Sequence, residues 1–509
     1  MENFHIPASP AGEALSKDFT ATVNGCELPV KQVRVTAVPF NTWWPGHQRP
    51  IDQTEPASYA NFNLSGSVRV EIVCHTKRVE SVEIKPSAFG ITPVVEGQKI
   101  SFTLDKPRHF TVEVNGRSGC LHMFVSEPEC YNVDKNAPDV IYFGPGVHKA
   151  GLIELVSGQT LYLDEGAVVY GSVFAQNAEN IRVLGRGVID SAPYKRIQEY
   201  TGTGRAGEEI LAALREKNVG RGIGNVLMLG CKNVLVDGVI FRDPPEWSFN
   251  IYHCENVKIH DVKLIGLWRY NADGIDIYLG KNFELSHCFI RSFDDSVIAR
   301  GACGANDEDV FENMLTHDCV LWCEWGRALE MWTSSRAAHL KNIVFRDCYI
   351  IRVAHVAIDL QIYGSGPTWM EDILCENIYV DTDRHADRPI YQKEDAQVYE
   401  KRTDDDYLPI LCFIGNAYKF DRPFNKIGLR ADVNFTNVTF RNIHVAAHRM
   451  PQSIIKTIPG FMRAKNIVFD GIYFNGKRLS TADELNLCLE DHADEASDGA
   501  VSELDYIIR

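Results

Sequence analysis

Asn256-Val257-Lys258-Ile259 and Asn282-Phe283-Glu284-Leu285 begin alike and continue alike: an asparagine, then apolar residues alternating with polar ones. The same unit stands at Asn180-Ile181-Arg182-Val183, Asn233-Val234-Leu235-Val236, Asn342-Ile343-Val344-Phe345, Asn437-Val438-Thr439-Phe440 and Asn466-Ile467-Val468-Phe469. Looser copies start at Asn313 and Asp372. From Asn233 to Asp372 successive starts lie 23, 26, 31, 29 and 30 residues apart. A unit of that length with period-two alternation is one coil of a right-handed parallel β-helix, each coil pairing its strands with the next. Asparagine at every coil start can form a ladder of amides. Strands buried on several sides account for the Val, Ile and Phe bias. A leucine-rich repeat fails on residue type, and a propeller needs longer, hairpin-based units.

Ahead of the repeat the texture differs. Val33-Arg34-Val35, Val68 to Val73, Val82-Glu83-Ile84, Ile100 to Leu104 and Phe110 to Val114 alternate with period two between Gly, Pro and Asn turns. That is the pattern of a β-sandwich. The expected class is therefore all-β, with a sandwich over residues 1–138, a right-handed parallel β-helix over 139–480, and an acidic, helical tail over 481–509. Two insertions interrupt the coils: residues 206–217 read as a short amphipathic helix, and 383–408 as a long polar loop.

Bulk composition removes several functions. A net charge of −16 leaves no basic face for nucleic acid or an anionic membrane, and no apolar run is long enough to span a bilayer. Fourteen cysteines without Cys-x-x-Cys spacing, several of them inside strand-like runs, read as small buried hydrophobes. With no secretory signal pattern at the N-terminus, a cytoplasmic location is expected. Homo-oligomerisation through the tail or the sandwich is compatible with the sequence.

Carboxylates concentrate in Tyr270-Asn271-Ala272-Asp273-Gly274-Ile275-Asp276 and Ser292-Phe293-Asp294-Asp295-Ser296. Counted from each leading asparagine, Trp247 lies 14 residues on, Asp273 17, Asp294 and Asp295 12 and 13, Arg327 14 and His355 13. These offsets place them at one corner of consecutive coils. Strands are about 4.8 Å apart, so Asp273 and the Asp294/Asp295 pair come close enough to perturb one another's protonation. An acid beside a carboxylate is what glycosidic cleavage needs.

The segment from Pro245 to Val257, then Asn271-Ala272-Asp273-Gly274, then Asp294-Asp295, resembles the polygalacturonase-type glycoside hydrolases of family 28, whose order is a Trp-bearing strand, Asn-Thr-Asp-Gly and Asp-Asp-Cys. The resemblance covers about residues 140–475. It implies inverting hydrolysis without metal or cofactor, Asp294 as general acid, and Asp273 and Asp295 holding and activating water. Two departures matter. The family's Gly-His-Gly is replaced by Trp325-Gly326-Arg327-Ala328-Leu329-Glu330, and its Arg-Ile-Lys, which grips the galacturonate carboxylate, by Ala357-Ile358-Asp359-Leu360-Gln361. Exchanging cations for acids disfavours an anionic sugar. A sandwich ahead of a β-helix is also similar to the family 49 dextranases and isopullulanases, which act on neutral glucans.

The combination leads to an exo-acting inverting glycosidase for a neutral oligosaccharide. Substrate contacts are expected from Trp44, Gln48 and Arg49 on the loop Phe40–Pro50, from Trp247, Tyr270, Asn271, Arg300 and Trp332, and from Arg327, Glu330, His355 and Gln361. Hydrolysis of galacturonan-type oligosaccharides, a uronate lyase or epimerase reaction, and a non-catalytic glycan-binding role are the competing readings.

Overall fold

The computed structural model describes residues 3–42, 44, 48–194, 223–301, 310–333, 338–362, 368–382, 388–391, 406–416, 433–491 and 503–509. The expected helix at 206–217, most of the 383–408 insertion, Trp43 and His47 lie outside the described residues.

Two sheets, of six and five strands, open the chain. Their inner faces share one core, in which Phe19, Val70, Ile72 and Phe102 of one sheet meet Phe62, Phe110, Val112 and Met123 of the other. This is the sandwich, and its last strand ends at Ser126. The first coil begins at Val140, and from there the strands run in three parallel files of a right-handed β-helix. The first file carries the asparagines: Asn256 Nδ2 donates to Asn233 Oδ1 at 3.0 Å, Asn282 Nδ2 to Asn256 Oδ1 at 2.9 Å, and Asn313 Nδ2 to Asn282 Oδ1 at 2.9 Å. Each sits in the left-handed region, Asn282 at φ 64°, a conformation asparagine tolerates better than other non-glycine residues. Backbone strain and ladder bonding together make Asn282→Ala cost about 2 kcal/mol, to be read from chemical denaturation.

The second file faces the sandwich. Val188, Ile240, Ile265, Phe289, Val320 and Ile351 pack on Val33, Val35, Tyr59, Cys120 and Phe124. Buried charges cross the same interface. Asp261 of the β-helix accepts from His109 Nε2 at 2.9 Å and Ser126 Oγ at 3.1 Å on the sandwich side, and from Arg186 Nη1 at 2.7 Å. It also pairs with Lys263 Nζ at 2.9 Å. Burial would push Asp261 up, but Lys263, His109 and Arg186 hold it far below the usual carboxylate range. A depressed folded pKa contributes stability that is present above the unfolded value, about 4, and is lost as pH falls through the folded one. Asp261→Asn leaves the cations unpaired and is expected to cost about 3–5 kcal/mol at neutral pH, with a smaller penalty relative to wild type on acidification. Calorimetry at neutral pH and at a pH below about 4 checks this.

The tail departs from expectation. Its described parts, Leu487–Asp491 and Glu503–Ile508, are strands rather than a helix. They continue the parallel ladders on Ser453–Thr457 and on the segment from Arg463 to Phe469. The last coil presents unpaired N–H and C=O groups along its edge, and the short apolar runs Leu487-Cys488-Leu489 and Tyr506-Ile507-Ile508 satisfy them by adding strands. The β-helix therefore reaches Ile508, beyond the boundary expected at residue 480.

Candidate active site

The third file of strands gathers buried polar and charged side chains on one face. Pairing in register sets Asn250, Asp276, Ile298, Glu330, Asp359 and Phe413 side by side across six coils. Two residues on, Tyr252, Tyr278, Arg300, Trp332 and Gln361 form a second row on the same face. The residues between, Ile251, Ile277, Ala299, Met331 and Leu360, point into the core.

The corner leading into these strands is where the offsets place the acids. Ser248 N–H donates to Asp273 O at 2.8 Å, Gly274 N–H to Asp295 O at 2.8 Å, Ser296 N–H to Arg327 O at 2.8 Å, and His355 N–H to Gly326 O at 3.1 Å. Trp247, Asp273, Asp294 with Asp295, Arg327 and His355 thus occupy one corner of consecutive coils. Gly326 lies against both members of the acid pair. A Cβ there would fall 2.5 Å from Asp294 Oδ1, closer still to Asp295 Oδ1, and 2.7 Å from Asp295 N.

Two guanidiniums are shared among five carboxylates. Arg300 donates to Asp276 Oδ1 at 2.6 Å and Asp273 Oδ2 at 3.2 Å, and lies 3.9 Å from Asp295 Oδ2. Its plane is held by Trp247, 4.6 Å away, and Trp332, 4.9 Å away. Arg327 donates its N–H to Asp295 Oδ1 at 2.8 Å and its Nε to Asp359 Oδ2 at 3.1 Å, with Glu330 Oε1 at 3.8 Å. Gln361 Nε2 donates to Asp359 Oδ2 at 2.8 Å, and Asn271 Nδ2 to Asp273 Oδ1 at 3.0 Å.

These surroundings split the acids. Burial, followed by the charges of Asp276, Asp294 and Asp295, pushes Asp273 well above the usual range, with Arg300 opposing. Burial and Asp295 do the same to Glu330, and burial lifts Asp359 to about 6. Asp295 goes the other way: burial would raise it, but Arg327, a hydrogen bond from Glu330, Arg300 and the Arg327 N–H together bring it below the usual value. His355 is held well below the normal imidazole range by burial and by Arg327. The surroundings thus favour the charged form at Asp295 and oppose it at Asp273 and Glu330.

The expected binding residues divide. Trp247 stacks on Tyr278 at 5.8 Å, and His355 meets Trp325 edge-on at 4.5 Å. Trp44 reaches over from the sandwich and packs edge-on against Tyr270 at 5.9 Å. Gln48 is exposed on the same loop. Arg49, expected to touch substrate, is instead a buried strut between the domains. Its guanidinium donates to Val38 O at 2.8 Å and Trp268 O at 3.0 Å and lies 4.1 Å from the Phe293 ring, next to Asp294. Its donors are taken by backbone carbonyls and by Thr36 and Gln53, a convergence a sequence does not reveal. Gly326 and Asp276 were not among the expected catalytic or binding residues, and Asp359 was expected only as an acid standing in place of a family cation. The alternation that puts Asp276 on the face of Asn250, and Asp359 on that of Glu330, was the available signal.

A strap closes beside this centre. Ile390 and Tyr391, from the 383–408 insertion, pair in parallel with Phe40 and Asn41 of the sandwich loop. Trp325 Nε1 donates to Ile390 O at 3.0 Å, and Tyr407 OH to Ala354 O at 2.6 Å.

No known family model matches the sequence, and no curated protein matches it. Among solved structures, Dex49A from Penicillium minioluteum superposes with a TM-score of 0.63 at 14% identity, over 100% of this chain and 96% of that one. The fold is that of Dex49A. A family 28 exopolygalacturonase from Yersinia enterocolitica gives 0.42 at 15% identity, over 84% of this chain and 97% of its own. The agreement with Dex49A extends over both domains, the layout expected from the family 49 resemblance.

Proposed function

We propose that this protein is an inverting glycoside hydrolase that acts from the end of a neutral oligosaccharide. The observation that carries this is the shared corner of Asp273, Asp294 and Asp295, where Arg327 and Arg300 draw Asp295 below the usual carboxylate range while burial pushes Asp273 above it. Asp294 protonates the glycosidic oxygen as the bond to the anomeric carbon breaks. Asp295 accepts a proton from the water that attacks the opposite face of that carbon, and Asp273 fixes the water. The released sugar then carries the inverted configuration.

A neutral substrate is supported by the charge arrangement. Both arginines are already shared among the chain's own carboxylates, so a uronate would bring a further anion to an acid-lined wall. Exo-action is supported by the strap and by Trp44, which close in on the acid corner from the sandwich side. Every cysteine among the described residues is a free thiol, which favours a reducing cytoplasm.

The test is incubation with matched panels of neutral and uronate oligosaccharides, followed by NMR of the product before mutarotation. A monosaccharide of inverted configuration from the neutral panel is the expected result. Retained configuration, or an unsaturated uronate, sinks the reading.

A further inference from the structure

Around Arg300 and Arg327, Asp273, Asp276, Asp295, Glu330 and Asp359 compete for two positive charges in a region where none is more than 5% exposed. Full ionisation would leave several uncompensated charges in a desolvated site, which costs far more than holding some of them protonated. Glu330 is the member with the poorest claim on a cation. Its Oε1 is 3.8 Å from Arg327 Nε, too long for a hydrogen bond, and no donor among the described residues reaches its Oε2. Its side chain is 1% exposed, so bulk water does not supply that donor. A buried carboxylate in that position costs least if it is itself the donor, and the neighbouring acceptor is Asp295.

We propose that Glu330 is a positioning residue: it stays protonated at neutral pH and donates a hydrogen bond to Asp295, which fixes Asp295 as the ionised member of the catalytic group. This rests on the glycosidase reading above for its kinetic consequence but not for the protonation itself. The charged and titratable groups facing Glu330 are Asp295 from the corner, Arg300 and Arg327 from the strands Val297–Arg300 and Arg327–Thr333, and Asp359 from Val356–Ile362. With the proton on Glu330, Asp295 receives donors from Arg327 and Glu330, with the Arg300 charge 3.9 Å away, which is why it holds its charge at such depth. Glu330 neither touches the reacting atoms nor gives up its proton during the cycle.

Two substitutions separate this from a packing role. Glu330→Gln keeps an N–H donor and cannot ionise. It should retain activity within about tenfold, with the acid limb of the kcat/KM profile in place. Glu330→Met keeps the volume and removes the donor. Asp295 then binds its proton more tightly, so the acid limb should move to higher pH by about one unit or more. A shift to lower pH in Glu330→Met would mean that Glu330 is an anion in the wild type, and would overturn the proposal. So would a Gln variant as impaired as the Met variant, or a limb that does not move. A reading without substrate keeps the proposal testable if the glycosidase assignment fails or the Met variant does not fold. The infrared spectrum of wild type at neutral pH should contain a protonated-carboxyl stretch that disappears in Glu330→Gln. Identical spectra in that region would refute the protonated state directly.

Discussion

Asp294→Asn is expected to lower kcat/KM by on the order of 10³-fold while leaving substrate binding in place. The amide matches the carboxylate in size but has no proton to give the leaving oxygen. The defect should therefore depend on how much that oxygen needs one. With an aryl glycoside of strongly acidic phenol, wild type and variant should converge to within about tenfold, because the leaving group departs as a stable anion. With an alkyl glycoside the full loss should persist. Asp295→Asn makes the contrast. In the proposed roles it removes the base, so its defect should be equal for both leaving groups. Convergence in Asp295→Asn rather than Asp294→Asn would exchange the two roles. The pair shares one corner and both residues are nearly buried, at 6% and 5% exposure, so burial does not separate them; leaving-group dependence does.

The second large effect comes from a residue with no functional group. Gly326→Ala is expected to reduce kcat by about 10²-fold with the fold intact. A methyl at this position falls 2.5 Å from Asp294 Oδ1 and 2.7 Å from Asp295 N, distances that neither neighbour tolerates unmoved. Asp295 N is backbone, and Gly326 O accepts from His355 N–H in the next coil, so the ladder resists a shift and the carboxyls of Asp294 and Asp295 must give way. Displacing a catalytic carboxyl by about an ångström is enough to cost two orders of magnitude. The thermal midpoint should fall only modestly and the substrate KM should change less than kcat. A fully active Gly326→Ala would show that the acid pair has more room than this corner provides.

Several features of this protein were legible from its residues alone because they are local and repeated. The asparagine unit, with its period-two strands, determines the β-helix, since each coil needs the same left-handed corner and the same alternation to pair with the next. The strand that follows each asparagine then carries Asp273, Asp294, Asp295, Arg327 and His355 to a common corner at similar offsets, which is why counting from the asparagines was sufficient although the coils differ in length. The tail was misread because the amphipathic signal of a short acidic segment is weak, whereas the unpaired edge that draws it into a strand belongs to a coil assembled elsewhere.

What only the tertiary structure decided is how those residues behave once together. Which acids hold protons depends on burial and on two guanidiniums contributed by other coils, so Asp273, Asp295 and Glu330 diverge although their side-chain chemistry is nearly the same. Arg49 became a strut because backbone carbonyls from both domains converge on it, and position 326 takes only glycine without displacement because two carboxylates fill the space a side chain would take. Coulombic interaction and excluded volume act across space rather than along the chain. A sequence can therefore name the acids and the corner they share, but their charge and their clearance are set by neighbours that only folding brings near.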